Sequence, residues 1–320
     1  MFFPNFSDLK ISSDTSIVSI FSPDEIISIL RLTESILMEE NSLLEISAPL
    51  KIIGDLHGDF HNLIRLFDLI GTVPKEKLLF LGNYVDIGMD GIEVSVLLFC
   101  LKIRYRDRIF LLKGNHEIPA VNKMYGFYTE CDMKYGPGIW WDFQCCFNRL
   151  PLACLVSQKV FCVHGGLSPE LTSLQEIRDI QRPSEPISSG LEMDLLWSDP
   201  TNRGDGWFQS YRGISYLFGK RVVDEACKRL NISLIIRSHM VVPDGFEVMN
   251  GRRLITVFSV ANYAGNAAAV LCVNEKLEVT HQKLTAPYPL LQVPAFPLTA
   301  NLDSTIALSD MKQVKIFLKF

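Results

Sequence analysis

Four of the six histidines in this chain occupy the same kind of position, each in a polar turn directly after a short apolar run. They are His57 in Gly-Asp-Leu-His-Gly, His116 in Gly-Asn-His-Glu, His164 in His-Gly-Gly and His239 in Arg-Ser-His. Asp55, Asp86 and Asn115 lie in turns of the same kind. Imidazole and oxygen donors without cysteine suit Mn, Fe or Zn, and two such ions together can clamp an in-line phosphoryl displacement. The pattern therefore indicates hydrolysis at a binuclear metal centre.

The apolar runs before these turns predict the strands of a sheet. They are Leu50–Ile53, Leu78–Leu81, Ile109–Leu112, Val160–Val163, Leu234–Ile236 and Leu254–Phe258. Helical patterns alternate with them, such as 61–70 and the segment that begins at the Ser22-Pro23-Asp24-Glu25 capping box. This alternation predicts an α/β fold. Because ligands bind beyond the carboxyl ends of strands in open α/β sheets, we expect the four histidines to line one crevice.

Composition excludes several classes of protein. With 48% hydrophobic and 21% charged residues in 320, the chain has enough apolar material for a large buried core. A net charge of -5 gives no support to a nucleic-acid-binding surface. The first residues lack the features of a signal peptide, and no apolar segment is long enough to span a bilayer. Eight cysteines without a Cys-x-x-Cys pair indicate a reducing compartment, so we expect an intracellular protein, cytoplasmic or nuclear, without a membrane partner.

The sequence predicts three regions along the chain. Residues 1–20 read as an N-terminal arm, and residues 21–285 carry the strand and helix patterns of a single catalytic domain. Residues 286–320 contain four closely spaced prolines, at 287, 289, 294 and 297. Because prolines at that spacing disfavour both helix and central strand, we interpret this region as a tail or linker, with a docking strand as the alternative.

The order of these motifs resembles the PPP family of serine/threonine-protein phosphatases. The similarity continues through Tyr125-Gly126-Phe127-Tyr128, Leu167-Ser168-Pro169, Leu195-Leu196-Trp197-Ser198-Asp199-Pro200 and Asn262-Tyr263. It covers about residues 24–285 and is closest to the type-1 protein phosphatases. The resemblance implies an α/β fold of the metallophosphoesterase type, with a central β-sandwich flanked by helices. It also implies a phosphoric monoester hydrolase that acts on phosphoserine and phosphothreonine in proteins through a metal-activated water.

The resemblance assigns a role to each candidate site residue. Two divalent ions, Mn, Fe or Zn, would be held by Asp55 and His57 on one side and by Asn115, His164 and His239 on the other, with Asn83 at the position between them. His116 would protonate the leaving oxygen and Asp86 would orient it. The phosphate would be bound by Arg212, Asn115 and Tyr263.

Two positions depart from the family's motif, which reads here Gly82-Asn83-Tyr84-Val85-Asp86-Ile87-Gly88. Where the family has an aspartate that bridges both metals, this chain has Asn83, and where it has a phosphate-binding arginine, this chain has Ile87. An amide has one good oxygen donor and no charge, so we expect the second metal site to be weakened. Losing one phosphate donor typically costs about 10²- to 10³-fold in rate. Residues 262–267 also form a loop about three residues shorter than in the family.

These departures leave three hypotheses about function. The first is a working serine/threonine-protein phosphatase of reduced activity. The second is a pseudophosphatase that binds phosphoproteins without turnover. The third, a metallophosphoesterase acting on nucleotides or other diesters, is disfavoured by the length of the resemblance to protein phosphatases.

The resemblance also bears on partners. Type-1 phosphatases take regulatory subunits as an added edge strand, which inserts side chains into an apolar groove. At the matching positions this chain has Glu278 and His281 where that family has a methionine and a phenylalanine, and Val248 where it has another phenylalanine. We therefore expect phosphoprotein substrates but regulatory subunits different from the type-1 docking class.

Overall fold

Two mixed β-sheets packed face to face form the centre of the molecule in the computed structural model, which describes residues 20–186 and 188–284. The first sheet consists, in spatial order, of β1 (Leu43–Ile46), β5 (Ala153–Val156), β6 (Val160–Val163), β10 (Leu234–Arg237), β12 (Leu254–Val257) and β11 (Phe246–Met249). The second consists of β14 (Val279–Leu284), β13 (Ala268–Val273), β2 (Leu50–Ile53), β3 (Leu78–Phe80) and β4 (Ile109–Leu111). A small third sheet has the order β7 (Asp199–Pro200), β9 (Tyr216–Phe218) and β8 (Trp207–Gln209).

Helices cover the outer faces of both large sheets. Along the chain they are α1 (Pro23–Glu39), α2 (Phe60–Ile70), α3 (Gly91–Arg104), α4 (Pro119–Asn122), α5 (Phe127–Tyr135), α6 (Gly138–Phe147), α7 (Leu174–Arg178), α8 (Leu191–Trp197) and α9 (Lys220–Arg229). The described residues also contain two 3-10 turns, Asn115–Glu117 and Asn250–Arg252. None of the helices within the described residues combines the length and apolar character needed to cross a lipid bilayer.

The alternation of side chains along each strand builds three layers of core. Ile52 and Leu79 point into the space between the sheets, whereas their neighbours Ile53 and Phe80 pack on the helices of the outer layer. This is the period of two expected of a β-strand. Both faces of these strands are buried, which explains their nearly continuous apolar sequences. The predicted β-sandwich flanked by helices is therefore confirmed.

The predicted start of α1 is also confirmed. The side chain of Ser22 accepts a hydrogen bond from the Glu25 amide, and the Glu25 carboxylate accepts one from the Ser22 amide at 2.8 Å. This reciprocal pair is the capping box, and it satisfies backbone donors that the first turn of a helix leaves free.

Strand ends differ from the sequence-based expectation by one residue. β3, β4 and β12 each end one residue early, and β10 extends to Arg237. At β3 the cause is Gly82, whose φ of 104° turns the chain out of the sheet toward the crevice. Apart from Ile20, the expected arm (1–20) and the whole of the expected tail (286–320) lie outside the described residues, so the predicted division into regions stays a prediction.

Candidate active site

A cleft of about 400 Å³ opens where strands of both large sheets reach their carboxyl ends. Its lining residues come from loops after β2, β3, β4, β10 and β12, from helices α4 and α8, from the loop between α4 and α5, and from the loop that carries Arg212. They are Asp55, His57, Asn83, Ile87, Asn115, His116, Val121, Tyr125, Trp197, Tyr211, Arg212, His239, Val241, Phe258 and Tyr263. His164 and Asp86 contact this lining from behind, at Asn115 and His116. The structure thus brings together every candidate site residue, while their individual roles stay predictions.

The β3 and β4 loops approach each other very closely. A Cβ atom on Gly114 would lie 2.3 Å from Asn83 Oδ1, and one on Gly82 would lie 2.3 Å from the Gly114 nitrogen. Only glycine permits such an approach at either position. The Glu117 carboxylate holds the loops together by accepting the backbone N–H groups of Asn83, Tyr84 and Gly114, each at 2.8 Å.

Several non-glycine residues of the site have left-handed backbone conformations. They are His57, Asn83, Asp86, Ile87 and His239, with φ between 45° and 70°. Asparagine and aspartate tolerate this region, but a β-branched residue such as Ile87 does not. Strain of this kind costs about 1–3 kcal/mol and persists only where the surrounding structure imposes it. In the β3 loop, the left-handed backbone directs the side chains of Asn83 and Ile87 into the cleft.

His116 and Asp86 form a buried hydrogen-bonded pair. His116 Nδ1 lies 2.7 Å from Asp86 Oδ2, and Asp86 Oδ1 accepts the backbone N–H of Phe127 at 2.9 Å. Burial raises the pKa of Asp86 to about 8 and lowers the pKa of His116 well below its usual value. This contact leaves Nε2 as the His116 nitrogen available to the cleft.

His164 and His239 lie side by side, with ring centroids 5.1 Å apart. Burial lowers the pKa of His164 to about 4 and the pKa of His239 well below its usual value. Both imidazoles are therefore neutral at pH 7, which is the form that binds metal ions. His164 Nε2 lies 2.8 Å from Asn115 Oδ1. His239 Nε2 is buried without a hydrogen-bond partner among the described residues.

Asp55 is buried and surrounded by donors. Its Oδ1 accepts from the hydroxyl of Ser238 and, at 3.2 Å, from the backbone N–H of His239. Its Oδ2 lies 2.9 Å from Asn83 Nδ2 and 3.2 Å from His57 Nε2. Burial opposes ionisation, but the contacts with His57 and Ser238 and the nearby His164 hold the pKa of Asp55 well below its usual range. Asp55 is thus ionised at neutral pH.

Arg212 provides the positive charge of the cleft. Its Nε donates to Asp199 Oδ2 at 2.7 Å, and the other oxygen of Asp199 accepts from Arg237 at 2.6 Å. Nη2 of Arg212 also donates to the carbonyl oxygen of His239 at 3.5 Å, and the remaining N–H groups of the guanidinium can bind an anion. Tyr263 stands across the cleft with its ring 5.3 Å from that of His57. Burial raises the pKa of Tyr263 to about 12, so its phenol stays a neutral donor.

The chemistry of these side chains fits a divalent cation. Neutral imidazoles, an amide oxygen and one carboxylate are ligands for first-row transition metals. The unpartnered nitrogen of His239 is the kind of buried polar atom that a bound ion would satisfy. Across residues 20–186 and 188–284, no group of three or more histidine, cysteine, aspartate or glutamate side chains is arranged to hold a metal ion. The donor set here therefore depends on asparagine.

Three supporting residues were given no role by sequence reasoning. Glu117 fixes the β3 and β4 loops, Ser238 donates to Asp55, and Asp199 orients Arg212. Glu117 and Asp199 lie inside motifs that the sequence displays, directly after His116 and Ser198. Their position within those motifs was the available signal. Ser238, placed between Arg237 and His239, carried no distinguishing pattern.

Comparison with known proteins is consistent with this geometry. Residues 48–243 match the calcineurin-like phosphoesterase family. The chain is 58% identical over 316 residues to a Caenorhabditis elegans protein named "Putative serine/threonine-protein phosphatase C06A1.3", and the alignment covers 96% of this chain and 86% of that protein.

Solved structures share the fold. A protein serine/threonine phosphatase from Saccharomyces cerevisiae, with similarity to human phosphatase PP5, superposes with a TM-score of 0.79 at 31% identity, covering 84% of this chain and 92% of the yeast chain. A cold-active protein-tyrosine phosphatase from a psychrophilic Shewanella superposes with a TM-score of 0.56 at 13% identity, over 78% of this chain and 84% of the bacterial one. The second similarity concerns the fold alone. The predicted metallophosphoesterase fold is confirmed.

Proposed function

The chain belongs to the calcineurin-like phosphoesterases, as a member of the PPP family of serine/threonine phosphatases, and from this premise we propose that its cleft hydrolyses phosphoserine and phosphothreonine in proteins at a reduced rate. The observation that carries the proposal is the His116–Asp86 pair, 2.7 Å apart, in the same 400 Å³ cleft as Arg212 and the metal-type donors. Members of the calcineurin-like family generally bind two metal ions.

Different side chains of the cleft bind the phosphate and donate the proton. Arg212 and the amide of Asn115 bind phosphate oxygens, and Tyr263 donates from the opposite wall. His116 gives a proton to the leaving serine or threonine oxygen through Nε2, while Asp86 keeps its ring in place through Nδ1. Asn115, His164 and His239 would hold a divalent cation, with Asp55 and His57 as the donors on the other side of the cleft, and a cation there would neutralise phosphate charge and lower the pKa of a water.

Two features of the β3 loop support a reduced rate. Ile87 lines the cleft and offers no hydrogen-bond donor to a phosphate. The loss of one such preorganised donor typically costs about 10²- to 10³-fold in rate. The Nδ2 atom of Asn83 lies 2.9 Å from Asp55 Oδ2. Because this amide is neutral, it adds no negative charge that would attract a cation.

The same two positions favour a second candidate function, the capture of phosphoproteins without turnover. Arg212 and the cations would suffice to bind a phosphate, whereas the chemical step needs the complete centre. In either case the substrates or partners are phosphoproteins.

Within the described residues, β11 and β14 are edge strands, and their side chains bear on the choice of regulatory subunits. There the His281 ring stacks on Phe246 at 4.1 Å, and Glu278 and Val248 are exposed. This surface supports subunits different from the type-1 docking class.

A turnover assay tests the proposed function. The 320-residue chain with Mn²⁺ should release phosphate from a phosphoserine peptide and from a small aryl phosphate. His116→Gln should lower the rate by about 10²- to 10⁴-fold, the usual contribution of a general acid. His61→Gln, on α2 outside the cleft, is the matched control and should leave the rate unchanged.

The outcomes separate the two candidates. Release of phosphate that does not depend on His116 contradicts the proposed mechanism. Saturable binding of the phosphopeptide by equilibrium dialysis, without release of phosphate, supports capture instead. Hydrolysis of nucleotide diesters in preference to phosphopeptides contradicts both.

A further inference from the structure

The side-chain amide of Asn83 has a fixed orientation. Its Oδ1 accepts the backbone N–H of His116 at 3.0 Å, and its Nδ2 donates to Asp55 Oδ2 at 2.9 Å. A backbone N–H can only donate, so the amide oxygen must face His116 and the amino group must face Asp55. Turning the amide over would lose both hydrogen bonds in a buried site. Asn83 therefore presents hydrogens, and no lone pair, to the space beside Asp55.

Asp55, His57 and Asn83, which we call the aspartate half of the cleft, are consequently satisfied by one another. Asp55 Oδ2 contacts the Asn83 amino group and His57, and Asp55 Oδ1 accepts from Ser238 and His239. A cation placed here would have to displace a buried hydrogen bond and would meet a single negative charge. The amino group of Asn83 already donates a hydrogen bond to this carboxylate.

Asn115, His164 and His239, which we call the histidine half, are not satisfied in this way. His164 Nδ1 lies 2.9 Å from the carbonyl oxygen of Leu81, so Nδ1 carries the proton and Nε2 carries the lone pair. That lone pair faces Asn115 Oδ1 at 2.8 Å. A hydrogen bond from the Asn115 amino group would satisfy His164 but would leave the buried Nε2 of His239 unpaired. One cation satisfies all three groups.

We propose that the cleft holds one divalent transition-metal ion, bound by Asn115, His164 and His239, and that the amino group of Asn83 replaces a second ion beside Asp55. Two imidazoles with an amide oxygen suit a first-row transition metal better than Mg²⁺ or Ca²⁺, which prefer oxygen ligands. The inference rests on the proposed function, because it concerns the metal centre of the same cleft, and it specifies the stoichiometry and the place of the ion.

Counting bound Mn²⁺ tests the inference without measuring activity. The full chain, saturated with Mn²⁺ and analysed by native mass spectrometry, should hold one ion, and its electron paramagnetic resonance spectrum should be that of an isolated ion. His239→Ala should hold none, and His57→Ala, the matched change in the aspartate half, should hold one. Asn83→Asp, which changes only the amide to a carboxylate, should hold two ions with an exchange-coupled spectrum.

Each alternative result overturns the inference. These results are two ions in the unaltered chain, no ion in it, an ion lost from His57→Ala but kept by His239→Ala, or a single ion in Asn83→Asp. Thermal unfolding of each variant identifies any that does not fold, and the isosteric Asn83→Asp then decides. Because turnover is not read, one bound ion without hydrolysis supports the inference while it contradicts proposed hydrolysis. Two bound ions together with hydrolysis contradict the inference and support proposed hydrolysis.

Discussion

The two halves of the cleft have the same backbone arrangement but differ in whether their polar atoms have hydrogen-bond partners. In both, a strand ends at the crevice and a tight turn aims a histidine and a neighbouring oxygen donor inward. In the histidine half, the Nε2 atom of His239 has no partner among the described residues. In the aspartate half, the carboxylate of Asp55 is surrounded by donors, among them Asn83. The difference supports the proposal that position on the sheet brings the donor residues together, whereas the orientation of the Asn83 amide determines whether a cation binds beside Asp55.

The largest expected effect comes from converting the aspartate half. Asn83→Asp restores a negative charge and a lone pair beside Asp55, and Ile87→Arg adds a phosphate donor. Each change should raise aryl phosphate turnover with Mn²⁺, by about 10²- to 10³-fold for the donor. The double variant should exceed the product of the single effects, because a phosphate donor helps most when both ions are present.

Initial rates of the four proteins provide the measurement. Asn231→Asp is the matched control, since Asn231 also has a left-handed backbone, at φ 55°, but is exposed and precedes the amino end of β10, whereas the cleft lies beyond the carboxyl end of that strand. Its rate should equal that of the parent. A double variant no faster than the parent would show that the two halves do not differ in the way described.

A second prediction concerns stability without metal. Asn83→Asp places a second carboxylate against Asp55, where 2.9 Å now separates donor from acceptor. An uncompensated charge in a buried site costs about 3–5 kcal/mol. At roughly 2–4 °C per kcal/mol for a domain of this size class, the unfolding midpoint in chelator should fall by about 10 °C.

Differential scanning calorimetry with chelator and with Mn²⁺ measures this effect. Mn²⁺ should restore the midpoint of Asn83→Asp and should raise that of the parent by less. Equal midpoints for the two proteins in chelator would mean that Asn83 does not satisfy Asp55.

The third prediction moves from the cleft to the edge of the sandwich, where β11 and β14 end the two sheets. Val248, Glu278 and His281 are exposed at this edge. They provide less apolar surface for a docking peptide than the larger apolar side chains of the type-1 phosphatases at the same positions. At about 1.5–3 kcal/mol for each large apolar side chain, peptides of the type-1 docking class should bind weakly or not at all. His281→Phe combined with Glu278→Met should strengthen binding. Fluorescence anisotropy of a labelled peptide measures it, and micromolar affinity of the parent, competed by unlabelled peptide, refutes the prediction.

The smallest expected effect is that of thiol alkylation. All eight cysteines are free, and most are buried. Burial raises the pKa even of the exposed Cys145, so its thiol is not an activated nucleophile. Alkylation under native conditions should leave turnover unchanged, while a chelator should abolish it. Activity that survives the chelator but is lost on alkylation would contradict a metal-dependent cleft.

Much of the fold could be predicted because the central strands are buried on both faces. β2, β3 and β6 appear in the sequence as short apolar runs, each followed by a glycine-containing turn. β14 escaped prediction because its sequence, Val-Thr-His-Gln-Lys-Leu, belongs to a half-exposed edge strand with little apolar pattern. β7 has only two residues, and its conformation depends on pairing with β9.

The site was predictable to the level of residue types but not of atoms. Motif order predicted that all four histidines would line one cleft. Asp55, His57, His116 and His239 do so, whereas His164 lies behind the lining and contacts it through Asn115. The orientation of the Asn83 amide could not be predicted, because it depends on the backbone N–H of His116, contributed by a different loop. The Glu117 clamp also depends on a close approach of two loops that only the folded chain displays.

Anomalous diffraction from crystals soaked in Mn²⁺ locates each bound ion and so distinguishes one ion from two. We expect one strong peak among Asn115, His164 and His239, and no peak between Asp55 and Asn83. Two peaks of comparable height, one in each half of the cleft, would contradict this expectation.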